Sequence, residues 1–556
     1  MYNYRSASNK MAGEDNYDKS ELAPPPRKPK FTGPFWIVHW YLEWALPGLG
    51  MFSEAYIVFS AGQIKVFQQT MWPTCYLSPY ADCDSEYILH LANYIQICGI
   101  IAGMLFWGVL LADYTGRKWG SRFVAAIMLS GVILLVFTGW ATWAYGHFIY
   151  FMTAQTWYGF GVGGEYPMAS SSAAERSATT PELRHLGLSK SSWSSLIRNC
   201  LAVMYGFGAF AALVMVWYRF TYLEESKMFV EEKGIQAFLE TSSTRVTGMK
   251  KHVRSFIFYF WRQFVASGAW VANDFAFYGN KLQQNVFLNV LFPGSTPYKQ
   301  QQWNVLNSFI ALTGYYAAAA LCDKPWYGRV RCQWIGFLAM FVFYIIIYAQ
   351  WNNMAIPANP AKGIVGSPVA GAKAIQALYY LSSFFNQFGP NATAWLVAGE
   401  IFPTEVRASY HGLAAAMGKV GAIIASLWIS YVSDTRKVFL ISAIWVIGGA
   451  VVTFIWLPDT TGLDLEEYDR MQRCLLEGRF QDYHGEAINP RHLSLWEIYV
   501  QGWHKNYNPE LDREQFEAEI NQFALTNKEG TEQMKRMSLV TPDIAQIVDK
   551  ASHMNA

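Results

Sequence analysis

The chain has 556 residues and a mass of 63.1 kDa, yet only 15% of them are Asp, Glu, Lys or Arg, while 52% are hydrophobic and 17% aromatic. A soluble globular chain carries about 25% charged residues, so most of this surface faces lipid, and a formal net charge of +2 excludes a nucleic-acid footprint. The same composition excludes disorder and collagen, and seven cysteines without a C-x-x-C pair exclude a disulfide scaffold.

Residues 1–34 are polar and rich in Pro and Lys, with no cleavable leader ahead of the first apolar run, so that run itself directs insertion. A hydrocarbon layer about 30 Å thick needs roughly 20 apolar residues per helix. Eleven windows reach that length, near 38–64, 87–111, 123–144, 150–173, 196–217, 255–279, 303–322, 333–350, 374–398, 409–432 and 438–457. The fold expected is therefore all-α and polytopic. Its parts are an N-terminal tail at 1–34, an N-terminal bundle at 35–217, a central loop at 218–254, a C-terminal bundle at 255–457 and a polar tail at 458–556. Within that tail, 465–472 and 514–521 have amphipathic patterns that predict helices.

Lys and Arg set the orientation. The tail at 1–34 holds Arg5, Lys10, Lys19, Arg27, Lys28 and Lys30, and the 112–122 loop holds Arg117, Lys118 and Arg122, whereas the loops at 67–86 and 142–149 hold none. Both termini are thus expected inside. Cys75 and Cys83 flank one of the outer loops, where a disulfide and two unpaired thiols both stand as readings. A conflict follows at 218–254, which carries seven basic residues. Four spans return the chain to the inside near Glu175, and one more crossing at 196–217 would place that basic segment outside. The stretch 175–199 is too polar to span, so either 196–217 is a re-entrant or abortive span or a helix of the bundle is missing there, and the missing helix is the expectation.

Chemistry-bearing motifs begin at the loop after the second window, with Gly108, Asp113, Gly116, Arg117 and Lys118. A carboxylate at a helix end, a Gly turn and paired cations can hold a neighbouring helix end in one conformation and release it in another. A second copy, Asp323 to Arg329, follows the seventh window, and matching loops in two half-chains indicate an internal repeat. These loops, with the Pro-Asp-Thr-Thr-Gly segment at 458–462, resemble the signatures of the major facilitator superfamily. Three further segments are Gly161 to Pro167, Phe388 to Asn391, and Gly399 to Arg407 ahead of His411. They resemble the phosphate:proton symporters of fungi and plants and the fungal organophosphate-transporting relatives of those symporters. The resemblance implies a two-bundle carrier importing phosphate or a phosphate ester with protons across the plasma membrane, and Glu400 and Arg407 fall in its gating motif.

Trp270, Asp274 and Tyr278 are spaced by four, which puts them on one helix face with a drift of about 40° per step. An intramembrane carboxylate costs about 2.5–3.5 kcal/mol on insertion scales and is a functional candidate by default. Trp and Tyr add N–H and O–H donors suited to oxyanions. The triplet matches the family's substrate-site triplet residue for residue, and by the resemblance Tyr166 and Asn391 complete the anion site. Glu54 lies mid-window in the first run, where the family usually has Asp, and is a second candidate proton carrier; Glu165 likewise replaces an Asp beside Tyr166. Lys419 is a candidate partner for an anion or a carboxylate, or else a cation reaching an interface. The window at 196–217 resembles the family's sixth helix, and the Gln contributed by its fifth has no counterpart.

No catalytic-triad spacing, metal-ligand cluster or phosphate-cradling Gly-x-x-x-x-Gly-Lys-Ser/Thr loop occurs, so neither an enzyme nor a cofactor nor ATP-driven transport is expected. A non-transporting sensor of the same fold, or a carrier of another organic anion or metabolite, is the alternative function.

Overall fold

The computed structural model describes residues 86–140, 143–177, 197–221, 249–292, 295–354, 369–430 and 434–515, with Trp72, Cys75, Val432 and Ala518. Every regular element among the described residues is helical. In chain order they are α1 (Glu86–Gly103), which continues as a π-helical stretch (Met104–Leu111), α2 (Ala112–Val136), α3 (Ala144–Ser177), α4 (Ile197–Thr221), α5 (Met249–Phe258) and α6 (Phe260–Leu291). There follow α7 (Pro297–Leu321), α8 (Gly328–Met354), α9 (Val369–Phe388), α10 (Pro390–Glu400), α11 (Thr404–Ser430), α12 (Thr435–Trp456) and α13 (Glu466–Glu477). Five of the described helices are long and apolar enough to cross a membrane, those within α1 with its π-helical extension, α2, α8, α11 and α12. The apolar run near 38–64 and the polar stretch at 178–196 lie outside the described residues.

Small residues let helices approach where no side chain would fit. On α1, Gly99 and Gly103 face Gly159 and Gly163 of α3, and a Cβ at Gly103 would strike Phe160 O. This is the small-xxx-small contact of membrane helices on both partners. Packing then repeats between the halves: α1 lies on α3 as α7 lies on α9, and α2 lies on α4 as α8 lies on α12. Thus α4 takes the place of the last helix of its half, as the resemblance to a sixth helix implies. In the second half α11 precedes that last helix and packs along α6; no helix among the described residues of the first half holds the matching place.

Two expectations change. The segment 112–122 is not an open loop: α2 begins at Ala112 and runs through it with one break at Gly116, whose φ of 80° and ψ of 167° favour glycine. The polar C-terminal segment is not a loose tail either. Its described part folds onto the bundle, with Tyr468, Met471, Leu475, Ile488 and Trp503 in the same apolar cluster as Tyr259, Val265 and Phe402. Of the second amphipathic stretch, 514–521, only Glu514, Gln515 and Ala518 are among the described residues. Cys75 is disulfide-bonded; Cys83 is outside the described residues.

Candidate functional site

The α6 triplet is buried where the halves meet: Trp270, Asp274 and Tyr278 are 4%, 2% and 7% exposed. Opposite them, α11 brings Lys419, itself 3% exposed. Lys419 Nζ lies 3.1 Å from Asp274 Oδ2 and donates to Tyr278 Oη at 2.9 Å. The ammonium also sits over two rings, 5.1 Å from the centre of Tyr166 and 4.7 Å from that of Tyr278, which adds electrostatic attraction in a dry site. Tyr166 comes from α3 in the first half, and its ring is 6.0 Å from that of Trp270. Gly418 permits this: a Cβ there would enter the Trp270 indole.

A ladder of amides extends from Asp274. Asn273 Nδ2 donates to Asp274 Oδ1 at 3.1 Å and to Asn391 Oδ1 at 3.0 Å, and Asn386 Nδ2 donates to Asn273 Oδ1 at 2.9 Å. Asn391 Nδ2 donates in turn to Gln387 Oε1 at 2.6 Å and Tyr315 Oη at 2.5 Å. Asn391 stands in the first turn of α10, immediately after the break at Gly389 and Pro390. Proline has no N–H to continue the α9 ladder, and Gly389 fits there because its Cα faces Gly336 of α8 with no side chain between them. Discontinuous helices of this kind supply polar groups at the midplane of carriers.

The structure therefore brings together Tyr166, Trp270, Asp274, Tyr278, Asn391 and Lys419. Lys419 is the partner of the Asp274 carboxylate, one of the readings that the sequence left open for it, and not a cation reaching an interface. Glu54 lies outside the described residues. Glu165, one residue before Tyr166, is fully buried and turned away into a bidentate pair with Arg219 of α4, whose Nη1 donates to Glu165 Oε2 at 2.7 Å. Arg219 also donates to Ser121 O at 3.0 Å, and Arg122 Nε donates back to Arg219 O at 2.9 Å. Reading the sequence missed Arg219 because it falls just past an apolar window; a lone Arg at the end of the next described helix after an intramembrane Glu was the available signal.

Three of the residues expected to gate, Asp323, Arg329 and Glu400, meet in one cluster. Arg329 bridges Asp323 at 3.2 Å and Glu400 at 2.8 Å, and donates to Cys322 O at 3.0 Å. Thr460 Oγ1 donates to Glu400 Oε2 at 2.5 Å, and Arg329 N donates to Thr461 Oγ1 at 3.1 Å, so the Pro-Asp-Thr-Thr-Gly segment belongs to the same cluster. Arg407 is fully buried and donates from Nε to Phe402 O at 3.0 Å. Gly108 meets Gly412 of α11 across the halves, where a Cβ would be 2.8 Å from the Gly412 Cα. Lys118 is partly buried on α2; the side chains of Asp113 and Arg117 are outside the described ones.

Similar proteins share this architecture. The Sugar (and other) transporter family matches residues 222–472. The solved structure of the proton:xylose symporter XylE bound to 6-bromo-6-deoxy-D-glucose superimposes with a TM-score of 0.58 at 15% identity, over 77% of this chain and 98% of that one. The chain has the all-helical fold of the major facilitator superfamily. A probable inorganic phosphate transporter of Arabidopsis thaliana is 25% identical over 76% of this chain and 93% of its own length. Glycerophosphoinositol permease 1 of Candida albicans is 26% identical over 69% of this chain and 74% of its own. These relatives are transporters, not enzymes, and this chain is a multi-pass membrane protein with the same fold.

Proposed function

We propose that the chain is a secondary transporter that imports inorganic phosphate or a phosphate ester across the plasma membrane with protons, by alternating access between its two bundles. The observation that carries this reading is the Lys419–Asp274 pair enclosed by Tyr278, Tyr166 and Trp270. A buried ammonium already held by a carboxylate has little attraction left for an anion. Protonation of Asp274 removes the competing charge, leaves the carboxyl as a donor, and frees Lys419 for an oxyanion with Tyr278 and Asn391 in reach. Release of the proton on the far side restores the pair and expels the anion. The relatives that carry phosphate or glycerophosphoinositol by name support the same cargo class.

The test compares equilibrium binding with uptake in reconstituted vesicles. Asp274→Asn cannot release a proton, and it leaves Lys419 unopposed. Phosphate binding should survive or tighten while accumulation under a proton gradient is lost. Uphill uptake by that variant would remove Asp274 from the coupling step. A second reading, a sensor that binds without transporting, is favoured by the stretch at 178–196, too polar to span; saturable binding with no uptake by the unaltered chain would establish it.

A further inference from the structure

Lys281 lies on α6 beyond the apolar window that the sequence marks out, where the helix continues to Leu291. It is seven residues past Asp274 and three past Tyr278 in the chain. Seven residues return an α-helix to within about 20° of the same direction and advance it by about 10 Å. Lys281 is therefore on the stripe that presents Asp274 and Tyr278 to Lys419, two turns farther from the Arg329–Glu400 cluster. It is partly buried, and its Nζ makes a long hydrogen bond of 3.5 Å to Gln284 Oε1. Gln284 Nε2 donates to Asn304 Oδ1 of α7 at 2.7 Å.

What distinguishes Lys281 is its missing counter-charge. Buried cations of this half such as Lys419, Arg262 and Arg329 each have a carboxylate, in Asp274, Glu497 and Glu400 respectively. No Asp or Glu among the described residues pairs with Lys281. A buried cation of a membrane protein without a carboxylate faces the bundle interior or a hydrated route as a rule, and the polar neighbours of Lys281 are the amide of Gln284 and, through it, that of Asn304. We propose that Lys281, with Gln284 and Asn304, forms a second anion subsite on the translocation path, which holds inorganic phosphate or the phosphate of a monoester about 10 Å from the Asp274–Lys419 centre. The inference rests on the anion-carrier reading. An uncompensated positive charge draws the anion along α6, and the central ammonium takes it when Asp274 is protonated.

The test places a reporter thiol on α7, Asn304→Cys, in the full-length chain in nanodiscs. Its reaction with an anionic and a cationic methanethiosulfonate is followed by peptide mass, with and without inorganic phosphate. With Lys281 present the anionic reagent should be favoured at least about fivefold, the preference expected of one nearby charge in a partly hydrated site. That preference should vanish in Lys281→Gln and return in Lys281→Arg. Phosphate should slow the labelling in the parent and in Trp270→Ala but not in Lys281→Gln, which separates this subsite from the central one. Protection that persists in Lys281→Gln, or that disappears with Trp270→Ala, overturns the subsite, as does a thiol that neither reagent reaches. Absence of protection at position 304 while phosphate still binds the parent centrally would sink the subsite alone; loss of all phosphate binding would sink the transport reading with it.

Discussion

Lys419 lies at the centre of the candidate site, and its pairing with Asp274 and its proposed contact with the anion separate by mutation. Removing one partner of a buried ion pair leaves the other charge uncompensated, at a cost of about 3–5 kcal/mol. Lys419→Gln should lower the thermal unfolding temperature of the detergent-solubilised chain and abolish phosphate binding. Adding Asp274→Asn removes the stranded carboxylate, so the double variant should regain most of the lost stability and none of the binding. Phosphate affinity within about twofold of the parent in Lys419→Gln, far less than the loss of a charged partner costs, would show that the ammonium serves Asp274 and not the anion. Trp270 and Tyr278 should behave differently. Each lost hydrogen bond to a charged group is worth about 1.5–3 kcal/mol, so Tyr278→Phe, which removes the partner of Lys419 Nζ, should weaken apparent affinity roughly tenfold or more with little change in unfolding temperature.

At the scale of elements, the turn between α7 and α8 joins the Arg329–Glu400 cluster through one glycine. Gly328 has a φ of +83°, and a Cβ there would lie 2.8 Å from both Asp459 Oδ2 and Thr461 Oγ1. A non-glycine residue in that backbone region costs about 1–3 kcal/mol, and the collision would push the 459–461 segment off Arg329. Gly328→Ala should therefore destabilise the chain and break the Arg329–Glu400 pair, exposing the buried thiol of Cys322, whose carbonyl accepts from Arg329, to a water-soluble reagent. Unchanged labelling at that position would show that the turn and the ion pair are independent. The helices themselves were largely legible: α1 with its extension, α2, α8, α11 and α12 fall where runs of about 20 apolar residues predict them, because length and composition are local properties. The break at Gly389 and Pro390 was not read from the sequence, where one apolar window ran through 374–398, and a proline alone does not decide a break, since Pro167 stands inside α3 without ending it. The path of α6 was not legible either. Asn280, Lys281 and Gln284 lower its hydropathy, and only their partners on neighbouring helices, such as Tyr344 for Asn280 and Asn304 for Gln284, make the extension to Leu291 sustainable.

Over the whole molecule, the folded C-terminal segment is clamped by charge and by rings. Arg262 is 1% exposed, and its Nε is 2.6 Å from Glu497 Oε1. The rings of Tyr259, Tyr468 and Trp503 stand around its guanidinium at 5.6, 4.7 and 5.5 Å. Asp469 caps the start of α11, accepting from Thr404 N at 2.6 Å and Thr404 Oγ1 at 2.8 Å. Glu497→Ala strands Arg262, and by the same buried-charge cost of about 3–5 kcal/mol it should lower the unfolding temperature and open the segment after Gly478 to trypsin. Protease resistance equal to the parent's would make that segment a passenger.

Composition and window length by themselves determined that this chain is a helical membrane protein, and spacing placed Trp270, Asp274 and Tyr278 on one face, because a helix converts sequence distance into direction. The loop motifs and their repeat pointed to the fold that the structure has. Which charges meet was decided by the tertiary structure alone. Lys419 and Asp274 are 145 residues apart, Arg262 and Glu497 are 235 apart, and Arg219 and Glu165 are 54 apart. Ion pairing depends on where separate helices cross, and crossing is fixed by the fit of glycine-lined faces such as α1 against α3 and Gly418 against Trp270. A sequence window records the charge of a residue; the partner that neutralises it, or the lack of one for Lys281 among the described residues, exists only once the helices are packed.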